Sequence, residues 1–542
     1  MAADDAISKT PTVETPKCDV EKGSHHEAAK GIRRDLKGRH INMIAIAGMI
    51  GTGLFLASGK AIARAGPVGA LLGYIFMGAI TSGVSFTSGE LSAFMPLTGG
   101  FVRHATKFID PAMGAAIGWN FWYSLAITCP AELSAAATVI QFWRDDINPA
   151  VWLSIFIVVI TIINFCGVRI YGESEVIFAC IKIALIIGLI IAGIVVDLGG
   201  GPDYDRIGFR YWRDPGAFNE YLVGGTTGRF LAIWSILISA AFSYGNIQVT
   251  TLAGAETANP RKIIPQATKK TFYRVLLFYV LSIFVVGLIV RYDDKLLQNS
   301  TGTAQQSPFV IAFQRAGIKV LPSIINAVVC TSAFSSGSAC IFLASRILYG
   351  LSQDGQAPKF FQKCNRFGTP YLAVAASLLL TPLVYLSVGT NSSIVFGWFV
   401  NITTVSGLTS WVVIEWTYLR FYWAMQVQGY SRDKLRYQSP FQPYLSWTTM
   451  FSLIVIIFFS GFDIFFPGGF TATGFLSNYI NIPIFASLYI FFRFFFYKSS
   501  IIPLEEINLA DEFSKIEEEK AARDENVYSS RSWASKLYHR VF

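Results

Sequence analysis

Windows of around 20 apolar residues recur along this chain, and no water-soluble core absorbs so many. Twelve can be placed, near 41–60, 67–95, 111–141, 149–167, 171–197, 229–256, 273–290, 321–349, 371–388, 393–418, 444–466 and 471–497. Each is about the length an α-helix needs to cross a bilayer. Lipid offers backbone groups no hydrogen bonds, so such segments must fold as helices that satisfy themselves. Composition agrees: 53% of the 542 residues are hydrophobic and 15% charged, against about 25% charged in soluble proteins. The expected fold is an all-α polytopic membrane protein with twelve transmembrane helices. Residues 1–40 lack the apolar stretch of a cleavable signal. They and residues 498–542 are expected to be soluble, poorly ordered tails flanking a twelve-span membrane domain at 41–497.

An even number of spans places both termini on one side, and basic residues select the cytoplasm. Lys30, Arg33, Arg34, Lys37 and Arg39 precede the first span; Arg261, Lys262, Lys269, Lys270 and Arg274 follow the sixth. The net charge of +9 is thereby assigned to loops beside anionic lipid, and nucleic acid is not an expected partner. Five of the seven cysteines fall in or beside spans, which indicates no disulfide framework. Asn299-Ser300-Thr301 forms a glycosylation sequon in an outer loop. With no Walker A motif, metal-spaced Cys/His set or nucleophile–base pair, neither enzymatic chemistry nor a cofactor or metal is expected.

Two spans are interrupted. "IAGMIGTGLFLASG" (46–59) contains Gly48, Gly51 and Gly53, and "AAFSYGNIQVTTLAGAETANPRK" (240–262) contains Ser243, Gly245 and Asn246. An interior glycine weakens a helix by about 1 kcal/mol relative to alanine. Such glycines either let helices approach closely or break the helix. Broken spans at matching places in two halves mark transporter binding sites; spans 1–5 (41–197) and 6–10 (229–418) would be the halves, with 444–497 appended. A break at Ile50, Gly51, Thr52 and Gly53 would turn backbone N–H groups toward a carboxylate. Unpaired carbonyls at Met49 and at Phe242, Ser243 and Tyr244 would suit an ammonium group. The pair matches a free amino acid.

Charges inside spans are costly and point to function. Glu132 follows Pro130 in "TCPAELSAAA", and Lys182 lies within "FACIKIALIIG". A lysine in apolar surroundings can exchange protons, as a proton-coupled carrier requires, or can act as a static tether. Glu132 would face the substrate pocket, pair with Lys182, or hydrogen-bond a neighbouring helix. Glu90 and Glu256, near cytoplasmic span ends, are expected to meet loop arginines.

Several motifs resemble those of fungal amino-acid permeases, the yeast amino-acid transporter group of the amino acid–polyamine–organocation superfamily. They are "LKGRHINMIAIAGMIGTGLF", "GFRYWRDPGAF" (208–218), "GAETANPRKIIPQA", "TSAFSSGSACIFLASRILYGLSQDGQAPK", "YQSPFQPY" and "NYINIPIF". The resemblance, over roughly residues 33–498, implies a LeuT-like fold of two inverted five-helix repeats with spans 1 and 6 unwound. It implies amino-acid import across the fungal plasma membrane by proton symport. Gly51, Thr52 and Gly53 would receive the substrate carboxylate, and Phe242, Ser243 and Tyr244 would line the ammonium and side-chain region. Lys182 would carry the proton, faced by Ser335 and Ser336. Tail lysines Lys9, Lys17, Lys22 and Lys30 would serve ubiquitin-ligase machinery. The chain departs from the family at Gln248, where many members have glutamate, and in "SYGNIQ", where a Gly-Thr-Glu pattern is common. Ala47 and Arg436 replace a usual glycine and proline. An amine, polyamine or γ-amino acid permease, or an amino-acid sensor of the same fold, are the alternative readings.

Overall fold

The computed structural model describes residues 51–530 apart from 98, 145, 167, 250, 252–259, 299–306 and 390–391. Met49, Ile50, Glu256, the Asn299 sequon and the N-terminal tail lysines lie outside the described residues. The protein is helical. The principal helices are α1 (Gly53–Phe94), α2 (Phe101–Phe108), α3 (Pro111–Ile140), α4 (Pro149–Phe165), α5 (Val168–Asp197), α6 (Gly225–Ser243) and α7 (Pro260–Ile289). They continue as α8 (Pro308–Arg315), α9 (Leu321–Gln353), α10 (Tyr371–Gly389), α11 (Ser392–Val427), α12 (Tyr444–Phe458), α13 (Ala472–Tyr479), α14 (Asn481–Tyr497) and α15 (Ala510–Ser530). Among the described residues, eight helices are long and apolar enough to cross a membrane alone; α13 and α14, bent by 46°, supply a ninth as a pair. The expected fourth and eleventh spans are the shorter α4 and α12, 17 and 15 residues long.

The first two expected spans meet at Gly66 (φ 73°, ψ 173°), a non-helical residue ahead of Pro67 that divides α1 where the sequence places the boundary between them. A Cβ on Gly66 would stand 2.8 Å from the Asn219 amide nitrogen, so only glycine fits this left-handed position. The segment that follows the "GFRYWRDPG" run lies on the bend. Val68 N–H donates to the Ala217 carbonyl (3.0 Å), and Asn219 N–H donates to Ala65 (3.1 Å). Backbone groups freed by the glycine–proline step are thereby satisfied.

α3 sits at the centre, packed on α9 and α11, while α1 packs on α7. α5 turns Ile177, Ile191, Ile194 and Val195 outward, an apolar face suited to lipid. Glu90, near the end of α1, meets a loop arginine as expected: it accepts from Arg432 at 2.9 Å and from Tyr418 at 2.9 Å.

The C-terminal tail differs from the expectation. From Ile502 to at least Glu519 it is folded against the bundle. Ile502 N–H donates to the Ile109 carbonyl (2.9 Å), and Gln428 donates to the carbonyls of Leu504 and Ile507 (2.8 Å each). Leu509, Phe513 and Ile516 are buried with Phe94, Phe421 and Met425. Arg261 pairs with Glu512 at 2.6 Å and with Glu519. The polar composition suggested solvation, but residues 509, 513 and 516 follow helical spacing and put their apolar side chains on one face.

Candidate functional site

The expected interruption of span 6 is present, and the described start of span 1 lies against it. α1 begins at Gly53 with a π-wound turn, Gly53–Ala57, a geometry often found at functional sites. Phe55 and Leu56 N–H groups close back on the Thr52 carbonyl. α6 stops at Ser243, and Gly245 N–H turns back to the Phe242 carbonyl (3.1 Å). Asn246 then adopts φ 62°, a left-handed position that asparagine tolerates better than most residues. A Cβ on Gly53 would stand 2.8 Å from Ser243 Cα. Gly53 therefore admits its neighbour's backbone, as one of the two readings raised by the sequence requires, and the turn it opens is not regular α-helix.

Behind Gly51 lies a buried charge cluster. A Cβ on Gly51 would reach Glu132 Oε1 at 2.6 Å and Ser336 Oγ at 3.3 Å. Ser336 donates to Glu132 Oε1 (3.1 Å), and its neighbour Ser335 donates to Glu175 (3.0 Å). Thr52 approaches the Glu132 carboxylate from the other side, yet its hydroxyl and Glu132 Oε2 make no well-formed hydrogen bond. Lys182 is within Coulombic reach of both Glu175 and Glu132. All three charged residues are at most 2% exposed. Glu132, from α3, thus lies against Gly51 and within the field of Lys182. Glu175 was not anticipated from the sequence. It sits seven residues before Lys182, two helical turns, so both fall on one face of α5.

The expected site residues of span 6 divide. Phe242 lines a cavity of about 50 Å³ together with Phe121, Thr128, Asn246, Thr404 and Trp411. Ser243 turns the other way, its hydroxyl donating to the Ser239 carbonyl (3.0 Å) and meeting Tyr74 Oη (3.2 Å). Tyr244 is buried, donates to the Tyr74 carbonyl (3.2 Å) and packs at a tilt on Tyr279, 5.1 Å between ring centroids. Its side chain anchors the break to α1 and α7. Gln248 accepts from the Trp411 indole (2.9 Å), so an uncharged amide completes a hydrogen bond where a carboxylate is common.

A second, larger cavity of about 740 Å³ opens above, walled by Leu56, Ala57, Ser239, Ser393 and Phe396 among others. The rings of Phe242 and Phe396 meet edge-on, 6.0 Å between centroids, and so stand between the two cavities. At about 10–15 Å³ of water-accessible volume per molecule, the small cavity holds a few waters. An amino acid enters only when the helices or rings shift.

The amino acid permease family profile matches residues 40–501. The chain is 40% identical to the proline-specific permease of Emericella nidulans, over 98% of each chain. It is 39% identical to the dicarboxylic amino acid permease of Saccharomyces cerevisiae, over 91% of this chain and 83% of that one. It is also 39% identical to the lysine-specific permease of the same yeast, over 92% and 81%. Among solved structures, an Eremococcus coleocola manganese transporter is similar in fold, with a TM-score of 0.54 and 11% identity over 88% of this chain and 94% of that one. With its interrupted helices, buried charge cluster and sequence matched along nearly its whole length, this chain belongs to the amino acid permease family.

Proposed function

We propose that the protein imports amino acids across the plasma membrane by proton symport, with both termini in the cytoplasm. The carrying observation is that Glu132 touches both the broken first span, at Gly51, and the cluster that holds Lys182. Two carboxylates around one ammonium leave an odd negative charge in a buried place, which one added proton would neutralise. A substrate at the Gly51–Gly53 amides would alter that balance, and this couples the two loads. The substrate carboxylate would meet Gly51, Thr52 and Gly53; its ammonium and side chain would lie toward Phe242 and Asn246. Given cytoplasmic termini, the larger cavity faces outward. Amino-acid import is supported by the named permeases that align along nearly the whole chain.

The test is uptake of radiolabelled L-proline, L-aspartate and L-lysine in permease-deficient yeast at pH 5 and pH 7, with and without a protonophore. Concentrative uptake of at least one, stronger at pH 5 and abolished by the protonophore, is expected. Uptake indifferent to the protonophore would contradict symport. Absence of any uptake by protein shown to be at the surface would contradict import of these amino acids.

A further inference from the structure

The larger cavity carries an uneven charge. Its ionisable lining residues are Lys60, Arg64, Asp463 and the phenol of Tyr221. Lys60 and Arg64 lie one helical turn apart on α1 and so share a face. Arg64 lies over the Tyr221 ring, 4.8 Å from its centroid, and reaches Asp463 Oδ2 at 3.9 Å. Tyr221 donates to that same oxygen at 3.0 Å. Asp463 is therefore engaged by Arg64 and Tyr221. Lys60 is exposed to the cavity and, among the described residues, makes no hydrogen bond or ion pair. One positive charge thus remains in a concave mouth whose other walls include Leu56, Ala57, Phe396 and Val400. Low-dielectric walls focus the field of such a charge and raise the local concentration of the opposite one.

We propose that Lys60, supported by Arg64, makes this cavity a staging site for carboxylates, biasing entry toward acidic and neutral amino acids over basic ones. The proposal rests on the import reading for its substrates and on the outward orientation for its direction. The site is separate from the broken-helix site: Phe242 and Phe396 stand between them.

The test places a cysteine at Asn401, which lines the cavity. Its rate of modification from outside the cell is compared for an anionic sulfonatoethyl and a cationic trimethylammonioethyl methanethiosulfonate. Each rate is normalised to that of a free thiol and corrected for the protein without the new cysteine. The anionic reagent should be favoured several-fold. Lys60→Glu should remove or reverse the preference, Lys60→Arg should keep it, and 0.5 M salt should flatten it by screening. Surface biotinylation confirms delivery of each variant, with Lys60→Gln as the milder substitution. Equal normalised rates, a preference unmoved by Lys60→Glu, or no reaction with either reagent would overturn the proposal. This readout requires no transport, so a protein that carries nothing still answers it. In a transporting protein, Lys60→Glu should also raise the inhibition constant of L-aspartate three- to tenfold relative to that of L-lysine. An unchanged ratio would overturn the substrate bias.

Discussion

Gly53 and Ser243 touch backbone to backbone: a Cβ on the glycine would stand 2.8 Å from Ser243 Cα and Oγ, and 3.1 Å from the Phe242 ring. The π-wound first turn of α1 and the end of α6 are packed together at this point. Gly53→Val should therefore abolish uptake, because neither the Ser243 backbone nor the turn above it can give way. Forced overpacking costs about 1–3 kcal/mol. Gly53→Ala should retain a fraction of wild-type rate. Uptake rates at matched surface expression measure both, and wild-type transport by Gly53→Val would contradict the close approach.

Lys182→Met should leave two buried carboxylates, Glu132 and Glu175, without their ammonium. Removing one member of a buried pair costs roughly 3–5 kcal/mol unless the remaining charge is neutralised, so the variant should hold a proton permanently. Exchange of external for internal substrate should persist while accumulation is lost. Adding Glu175→Gln to Lys182→Met should restore thermal stability more than independent effects allow, since the groups share one network. A double-mutant cycle on melting temperature, run beside exchange and accumulation assays, tests this. Simple additivity would contradict a shared cluster.

The folded tail links regions far apart in sequence. Arg261, in the first turn of α7, is held by Glu512 and Glu519, while Phe513 packs between Phe94 and Tyr430. Arg261→Glu should destabilise the protein by about 3 kcal/mol, and the charge-swapped pair Arg261→Glu with Glu512→Arg should recover part of that. Limited proteolysis near residues 500–520 reads the outcome. Equal protease sensitivity in wild type and Arg261→Glu would argue that the tail is not clamped by this pair.

His104, on the loop helix α2, is 1% exposed, and its Nε2 hydrogen-bonds the Met95 carbonyl at 2.7 Å. Burial lowers its pKa from the usual 6.5 to about 4. The folded form therefore keeps the ring neutral where the unfolded chain protonates it. That contribution is fully present above pH 6.5, declines as pH falls, and is lost through pH 4. Purified protein should thus lose melting temperature between pH 6.5 and pH 4, and His104→Gln should show a shallower decline. The same slope in both would remove His104 as its source.

The features legible in the sequence were those that violate the rules of a lipid-facing helix. Glycines clustered at Gly51 and Gly53, small polar residues at Ser243 and Asn246, and charges at Glu132 and Lys182 each stand out against apolar neighbours. Glu175 does not, because it lies near the polar start of its span, where a carboxylate raises no alarm. Only its two-turn spacing to Lys182 signals a shared face. The boundary between the first two spans was legible at Gly66-Pro67; the segment that satisfies its backbone, Ala217–Asn219, was not, because it lies far along the chain. Tyr244 shows a further limit. Its place beside the break was readable, but the direction of its ring depends on Tyr74 and Tyr279 in other helices.

The most direct measurement uses purified protein in liposomes with an imposed inward proton gradient and labelled substrate from the panel above. Wild type should accumulate substrate above equilibrium and dissipate the gradient as it does so. Lys182→Met should equilibrate substrate, catalyse exchange, and leave the gradient intact. Accumulation by Lys182→Met equal to wild type would contradict the claim that the Glu132–Lys182–Glu175 cluster ties the broken-helix site to the proton.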